Sequence, residues 1–325
     1  MRALWDSPAP KARLARAALT PLSWLYAGGW QAYLAAYRLG LKKAQAPHRP
    51  VLCVGNLQAG GSGKSPLVRH LVDVLRGMGR EVVVSCSGYG APRAEAASLA
   101  PPGDLDAAEW GDEPAMLRML VPDLPLVVGR RRVLAAEIVH EAHPNAVMLM
   151  DDGFQHLPLR KTLSIVLDPL SPTNARCLPA GPYREPRGNR RRADLLLPGE
   201  FRVEEEGWLE DRGQGTGDRC PTLSPVPCPS PFNVLCALGQ PARFLASLPG
   251  TPTVARLLPD HDPMTGGTLF DGMDPAIPVV VTAKDWVKLR ARGDLAGRTI
   301  LVARHAVRVE PAEAFQRLLA ERLDG

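Results

Sequence analysis

The chain has 325 residues, 45% of them hydrophobic and 22% charged, with 33 prolines and a net charge of +5. That length and balance support a sizeable core without staples and exclude collagen-like, coiled-coil and wholly disordered classes. The charge is unevenly placed. Residues 1–43 carry seven basic side chains (Arg2, Lys11, Arg13, Arg16, Arg38, Lys42 and Lys43) against Asp6 alone, so the rest of the chain is close to neutral. A general nucleic-acid-binding surface is therefore excluded.

The first predicted element lies inside that basic segment. Residues 17–37 hold no charge, and Leu22, Leu25, Tyr26, Trp30, Tyr33, Leu34, Tyr37 and Leu41 recur at helical spacing on one face. Thr20, Pro21, Ser23, Gly28, Gly29 and Gln31 make the stretch too weak for a membrane span. Two readings stand: an aromatic, cation-flanked helix lying at a lipid interface, or a helix packed on its own protein. From Pro50 the pattern becomes α/β. Strands are predicted at 51–54, 81–85, 126–128, 146–150 and 163–167, with helices from Pro66 to about Met78 and from about Val133 to His143. Residues 198–231 break the rhythm with Glu204-Glu205-Glu206, a glycine-rich run and five prolines from Pro221 to Pro231, and read as a linker or insert. Strands at 233–237, 278–282 and 299–302, a helix near Phe244 and a C-terminal helix from about Pro311 make a second α/β unit. The expected division is thus 1–43, 44–197, 198–231 and 232–325. The six cysteines form no C-x-x-C pair and no zinc spacing, as expected of reduced thiols in a cytosolic protein.

The strongest chemical signal is Gly60-Gly61-Ser62-Gly63-Lys64-Ser65, between a predicted strand and a predicted helix. Its glycines let backbone N–H groups converge on phosphate oxygens, Lys64 reaches the β/γ-phosphates and Ser65 ligates Mg²⁺. Position 58 is Gln rather than the first glycine of the strict motif, so this is a G-G-x-G-K-S variant. The Asp151-Asp152 pair, at the end of an apolar strand, is the expected metal-holding partner, with either carboxylate free to face the metal. Asp112 and Glu113 precede Pro114; spacing alone favours Asp112 as a helix cap, while phosphoryl transfer to a hydroxyl wants a carboxylate that accepts the proton. Arg130-Arg131-Arg132 and the group Arg184, Arg187, Arg190, Arg191 and Arg192 are either solvated or hold an anionic substrate. By spacing alone His261 is a loop histidine.

In order, Val54-Gly55-Asn56-Leu57, the phosphate loop, Gly88-Tyr89-Gly90, Gly111-Asp112-Glu113-Pro114 and Asp151-Asp152-Gly153-Phe154-Gln155-His156 are followed by Leu178-Pro179-Ala180-Gly181-Pro182. After them come Leu238-Gly239-Gln240-Pro241, Pro259-Asp260-His261 and Val281-Thr282-Ala283-Lys284-Asp285. This series closely resembles the tetraacyldisaccharide 4′-kinases, the lipid A 4′-kinases of Gram-negative bacteria. The resemblance implies a P-loop NTPase-like parallel-sheet domain, a smaller α/β domain and an amphipathic N-terminal helix. It implies ATP and Mg²⁺ as cofactors and transfer of the γ-phosphate to the 4′-hydroxyl of a tetraacyldisaccharide 1-phosphate at the cytoplasmic face of the inner membrane. Carried over by motif, Gly60, Gly61, Ser62, Gly63, Lys64 and Ser65 bind the nucleotide, and Asp151 and Asp152 form the acidic metal site with Ser65. Asp112 activates the sugar hydroxyl and His261 supports it. Glu113 and Glu185 are further metal or charge-network members, and Arg132 contacts the phosphates. Three departures stand out: Ser87 replaces the usual arginine of Ser-Arg-Gly-Tyr-Gly, Gln240 replaces the asparagine before Pro241, and Asp262 replaces a second histidine. The alternative is a regulatory P-loop GTPase or metallochaperone. It is disfavoured by the adjacency of Lys284 and Asp285, which spoils a guanine-recognition motif, and by the lack of grouped Cys/His ligands.

Overall fold

The computed structural model describes residues 2–60, 63–214, 225–226, 228–290, 292–295 and 297–324. Two short-range facts build its first unit. The runs Val51–Asn56 (β1), Val82–Cys86 (β2), Leu126–Val128 (β4) and Val147–Asp151 (β5) are buried at every position. Such runs need cover on both faces, which a parallel sheet between helices supplies. With Ser98–Leu99 (β3), Leu163–Leu167 (β6) and Leu195–Leu197 (β7) they form one seven-stranded sheet in the order β3-β4-β2-β5-β1-β6-β7, parallel except for the edge strand β3. Helix α3 (Lys64–Gly77) lays Leu67, Val68, Leu71, Val72 and Leu75 on it, a three-and-four spacing that buries all five. Ligands bind such sheets at the carboxyl ends of the strands, and those ends carry the phosphate loop after β1 and Asp151-Asp152 at the end of β5.

The second unit is a six-stranded sheet in the order β11-β10-β12-β13-β8-β9. Asn233–Cys236 (β10), Ala255–Leu257 (β11), Val279–Thr282 (β12) and Thr299–Glu310 (β13) are parallel; Arg202–Gln214 (β8) and Pro225–Val226 (β9) are antiparallel. Here the structure corrects the expected boundaries. Much of the segment read as a linker, 198–231, is β8, the partner of β13. Its acidic run hid it, yet the register sets Glu204 opposite Arg308 and Arg202 opposite Glu310, complementary pairs across the ladder. The glycine run 215–217 and Cys220 lie outside the described residues. A continuous apolar cluster joins the two units, from Leu71 and Leu75 of α3 to Val307 and Val309 of β13 and Phe315 of the C-terminal helix, Ala312–Asp324.

The N-terminal segment folds as a short helix, α1 (Arg2–Asp6), and one long helix, α2 (Pro10–Arg38). The predicted stripe is split by packing. Leu34 is buried, and Trp30, Tyr33 and Tyr37 are half-buried and stacked edge to face. Ser23 is buried against the proline-rich loop, where its Oγ donates to the Cys177 carbonyl (2.9 Å) and accepts from the Ala180 N–H (3.0 Å). The exposed apolar face is carried instead by Leu14, Leu22, Trp24 and Leu25. One side of this helix is therefore packed on its own protein, and the other is apolar and exposed.

Candidate active site

At the phosphate-loop motif, β1 ends at Asn56 and the chain re-enters helix at Lys64 through Gly63, whose φ of +78° is a left-handed conformation that favours glycine. Lys64 and Ser65 thus stand in the first turn of α3, where backbone N–H groups have no helical partner and the helix dipole favours an anion. Gly61 and Ser62 lie outside the described residues; Gly60 turns the loop with φ +97°.

The β1–β5 register sets Val54 beside Asp151, so the acidic pair is one strand away from the loop. The two acids have opposite surroundings. Asp151 is buried, its Oδ1 has no hydrogen-bond partner, and burial together with the negative charge of Glu113 pushes its carboxyl up to about 7 despite Lys64. Asp152 turns away with φ +53° and meets Arg184 Nη1 at 2.8 Å and Lys64 Nζ at 3.6 Å. Burial opposes its ionisation, but these two cations outweigh burial and hold it below the usual carboxylate range. Asp151 is thus a buried acid short of positive charge. That environment fits a hard divalent cation, which takes one or two carboxylates plus phosphate oxygens and water rather than an all-protein cage. Among the described residues no three His, Cys, Asp or Glu side chains converge on one point.

Two expected participants are engaged elsewhere. Arg132, first residue of α6 (Arg132–Ala142), is buried and donates to Ser85 Oγ (2.8 Å) and to the Asp151 carbonyl (2.7 Å). It ties the ends of β2 and β5 together beneath the acidic pair. Glu185 is fully buried and accepts from Gln155, Asn189 and Arg192. The arginine group is likewise largely internally compensated, since Arg187 and Arg190 both bind the buried Asp168 at 2.9 Å. Sequence reading placed these cations in one cluster but had no way to see acids arriving from distant loops.

Asp112 opens α5 (Asp112–Leu120). The expected cap is absent: the N-cap is Gly111, at φ +94° and ψ 156°, and no side chain caps the helix. The Asp112 carboxylate is therefore available to the site. Gly111 is needed here, because its φ disfavours an L side chain and a Cβ would come within 3.2 Å of the Gly88 Cα. Gly111→Ala should lower stability by about 1–3 kcal/mol and reduce kcat by displacing Asp112, read from denaturant unfolding and from turnover of the soluble fraction.

The second unit supplies what surrounds Asp112. His261 Nδ1 lies 3.3 Å from its Oδ2, Lys288 Nζ 3.5 Å and Lys284 Nζ 3.9 Å from the same oxygen. Burial works against ionisation of Asp112, but the His261 hydrogen bond, then Lys288 and Lys284, hold it below the ordinary carboxylate range. Both lysines stand one turn apart on α8 (Ala283–Leu289), and α8 packs on α5. Neither lysine stands out in the sequence as a site residue, because Thr282-Ala283-Lys284-Asp285 there serves as one block of the motif series and as a failed guanine-recognition motif. The i, i+4 spacing of Lys284 and Lys288 after a strand end was the available signal. Asp285 is not open to a base either: it is buried, accepting from Thr282 Oγ1 (2.6 Å) and the Ala237 N–H (3.3 Å).

Comparison with known proteins follows the same lines. The family model described as tetraacyldisaccharide-1-P 4′-kinase matches residues 15–324. The tetraacyldisaccharide 4′-kinase of Alkalilimnicola ehrlichii is 35% identical over 286 residues, covering 83% of each chain. That of Pseudomonas aeruginosa is 34% identical over 288 residues, covering 85% of each. The crystal structure of LpxK from Aquifex aeolicus in complex with ATP superposes with a TM-score of 0.76 at 25% identity, over 95% of this chain and 99% of that one. A family model that matches nearly the whole chain, with relatives about one third identical over most of their length, places the chain in the tetraacyldisaccharide 4′-kinase family.

Proposed function

We propose that this kinase of lipid A biosynthesis moves the γ-phosphate of ATP to the 4′-hydroxyl of an acylated disaccharide 1-phosphate, with Asp112 as the group that takes the hydroxyl proton. The observation that carries this reading is the asymmetry of Asp112. Every contact it makes among the described residues falls on Oδ2, which leaves Oδ1 to accept from an incoming alcohol. Lys64 and the first turn of α3 bind the β/γ-phosphates. Asp151 and Ser65, with Asp152 and Glu113 nearby in charge, would hold Mg²⁺, which supplies neutralisation of the phosphate charge when bound. Arg132 and Glu185 enter as positioning residues: Arg132 fixes the Asp151 backbone, and Glu185 organises Gln155, Asn189 and Arg192. The direct test is incubation with labelled ATP, Mg²⁺ and the acylated disaccharide 1-phosphate in mixed micelles. A 4′-phosphorylated product is expected, and its absence from folded protein rejects the assignment.

The same reading places the protein on the cytoplasmic face of the inner membrane through α2. Among the described residues no helix is long and apolar enough to cross a bilayer. The outer face of α2 nevertheless presents Leu14, Leu22, Trp24 and Leu25 to solvent, between Lys11 and Arg13 at one end and Arg38, Lys42 and Lys43 at the other. Apolar side chains flanked by cations suit an anionic lipid surface. Leu22→Glu with Leu25→Glu should reduce co-sedimentation with vesicles containing phosphatidylglycerol by at least about tenfold, because each buried leucine contributes about 1.5–3 kcal/mol. Activity on a short-chain, micelle-free acceptor should be retained. Unchanged sedimentation would remove α2 as the anchor.

A further inference from the structure

The contacts around His261 determine more than its proximity to Asp112. Lys284 Nζ lies 3.4 Å from His261 Nε2 and 3.4 Å from Asp260 Oδ1. An ammonium has only donors, so its partner nitrogen must offer a lone pair. A neutral imidazole that accepts at Nε2 carries its single proton on Nδ1, and Nδ1 is the atom facing Asp112 Oδ2 at 3.3 Å. Lys284 therefore lies against both members of the pair, 3.4 Å from the far nitrogen of the ring and 3.9 Å from the near oxygen of the carboxylate, and it is closer to that ring nitrogen than Asp260 Oδ1, which stands 3.9 Å from it. Lys288, one helical turn on, braces the other side. Its ammonium donates to the Asp262 carbonyl (2.8 Å), is anchored on the buried Asp285 at 3.5 Å and reaches Asp112 at 3.5 Å. Between Asp260 and Asp262 the chain takes a left-handed turn at His261, with φ +64°, a conformation that a non-glycine residue holds only when its neighbours enforce it.

We propose that Lys284 is a positioning residue for phosphoryl transfer, which fixes His261 as the Nδ1–H tautomer and so keeps it a hydrogen-bond donor to Asp112, while Lys288 pins the loop that carries His261. Without the ammonium at Nε2 the ring is free to carry its proton on that nitrogen. A lone pair at Nδ1 then faces a carboxylate lone pair, and Asp112 loses its orienting partner. The consequence is confined to the acceptor side of the cleft. Lys64, Ser65 and Asp151 stand on the first unit and Lys284 on the second, so the effect is expected on kcat and not on nucleotide binding. The proposal rests on the reading of Asp112 as the proton acceptor, yet its structural half can be observed without turnover.

The test uses full-length protein with ¹⁵N-labelled histidine, His261 being assigned by comparison with His261→Gln. The native protein should show a pyrrole-type Nδ1 and a pyridine-type Nε2 at His261. In Lys284→Met the pattern should invert or average, and kcat should fall roughly tenfold to a hundredfold, the scale on which removing the hydrogen-bond partner of a metal-bound imidazole lowers activity. The KM for ATP should be unchanged, and Lys284→Arg, which keeps a donor, should recover most of the rate. A native Nε2–H tautomer overturns the proposal even if the variant fails to fold. So does Lys284→Met with native tautomer and native kcat. Full activity of Asp112→Asn would instead overturn the role of Asp112 and leave the tautomer result standing.

Discussion

Replacing Asp112 by asparagine lowers kcat by roughly 10²–10⁴-fold while the KM for ATP stays close to its starting value. The range is that of a lost general base, equivalent to about 2.7–5.4 kcal/mol of transition-state stabilisation. Asparagine is the informative choice because it preserves shape and removes only the ability to take a proton. The side chain stands at the first position of α5 beside a left-handed glycine, so the backbone there does not depend on its charge. What does depend on it is the electrostatic balance of the second unit. His261, Lys284 and Lys288 all lie within 3.9 Å of Asp112 Oδ2, and an amide no longer neutralises them. Lys288 keeps Asp285 and Lys284 keeps Asp260, so folding should survive with a modest loss of thermal stability. Steady-state kinetics at saturating ATP, paired with a thermal denaturation curve, separates the chemical effect from the structural one. A variant with native kcat would show that the proton leaves by another route.

How much of this was readable from residue order follows a physical division. Local chemistry was legible. The all-apolar runs that became β1, β2, β4 and β5, and the three-and-four spacing that became α3, are properties of neighbouring residues. So is the glycine-lysine-serine turn between strand and helix. The identity of the reaction came from motif order, which is also a property of the chain alone. What could not be read was compensation between distant segments. Arg132 looked like a phosphate ligand until the fold gave it Ser85 and the Asp151 carbonyl. Glu185 was one more acid until Arg192, Asn189 and Gln155 closed around it. Strand β8 was hidden by an acidic run whose register partners, Arg308 opposite Glu204 among them, lie about a hundred residues on. Lys284 and Lys288 acquired meaning only when α8 packed against α5. In each case the deciding fact is which charge meets which, and that is set by topology.

The Asp151–Asp152 pair shows why such compensation matters for function, and it yields the second large effect. Lys64→Ala should raise the KM for ATP and lower kcat together, by roughly 10²–10³ in kcat, as for removal of one preorganised donor from a developing oxyanion. The concern with such a variant is collateral damage, since Lys64 pairs with a mostly buried acid. Removing one partner of a buried pair commonly costs 3–5 kcal/mol because the other charge is left without compensation. Asp152 is not left so. Arg184 Nη1 remains 2.8 Å from its Oδ2, closer than Lys64 at 3.6 Å from Oδ1. The shorter, hydrogen-bonded contact supplies the greater part of the compensation, because charge-assisted hydrogen bonds outweigh a longer ion pair. Lys64→Ala should therefore unfold at nearly the native temperature while losing nucleotide affinity. Arg184→Met should show the converse weighting, with a larger fall in melting temperature and a smaller change in the KM for ATP. If Lys64→Ala instead melted far below the native protein with its ATP affinity intact, Lys64 would be a structural partner of Asp152 and the phosphate contact would belong to another residue. Measuring both variants side by side, by calorimetry and by nucleotide titration, decides between the two arrangements, because each assigns the larger stability loss to a different cation.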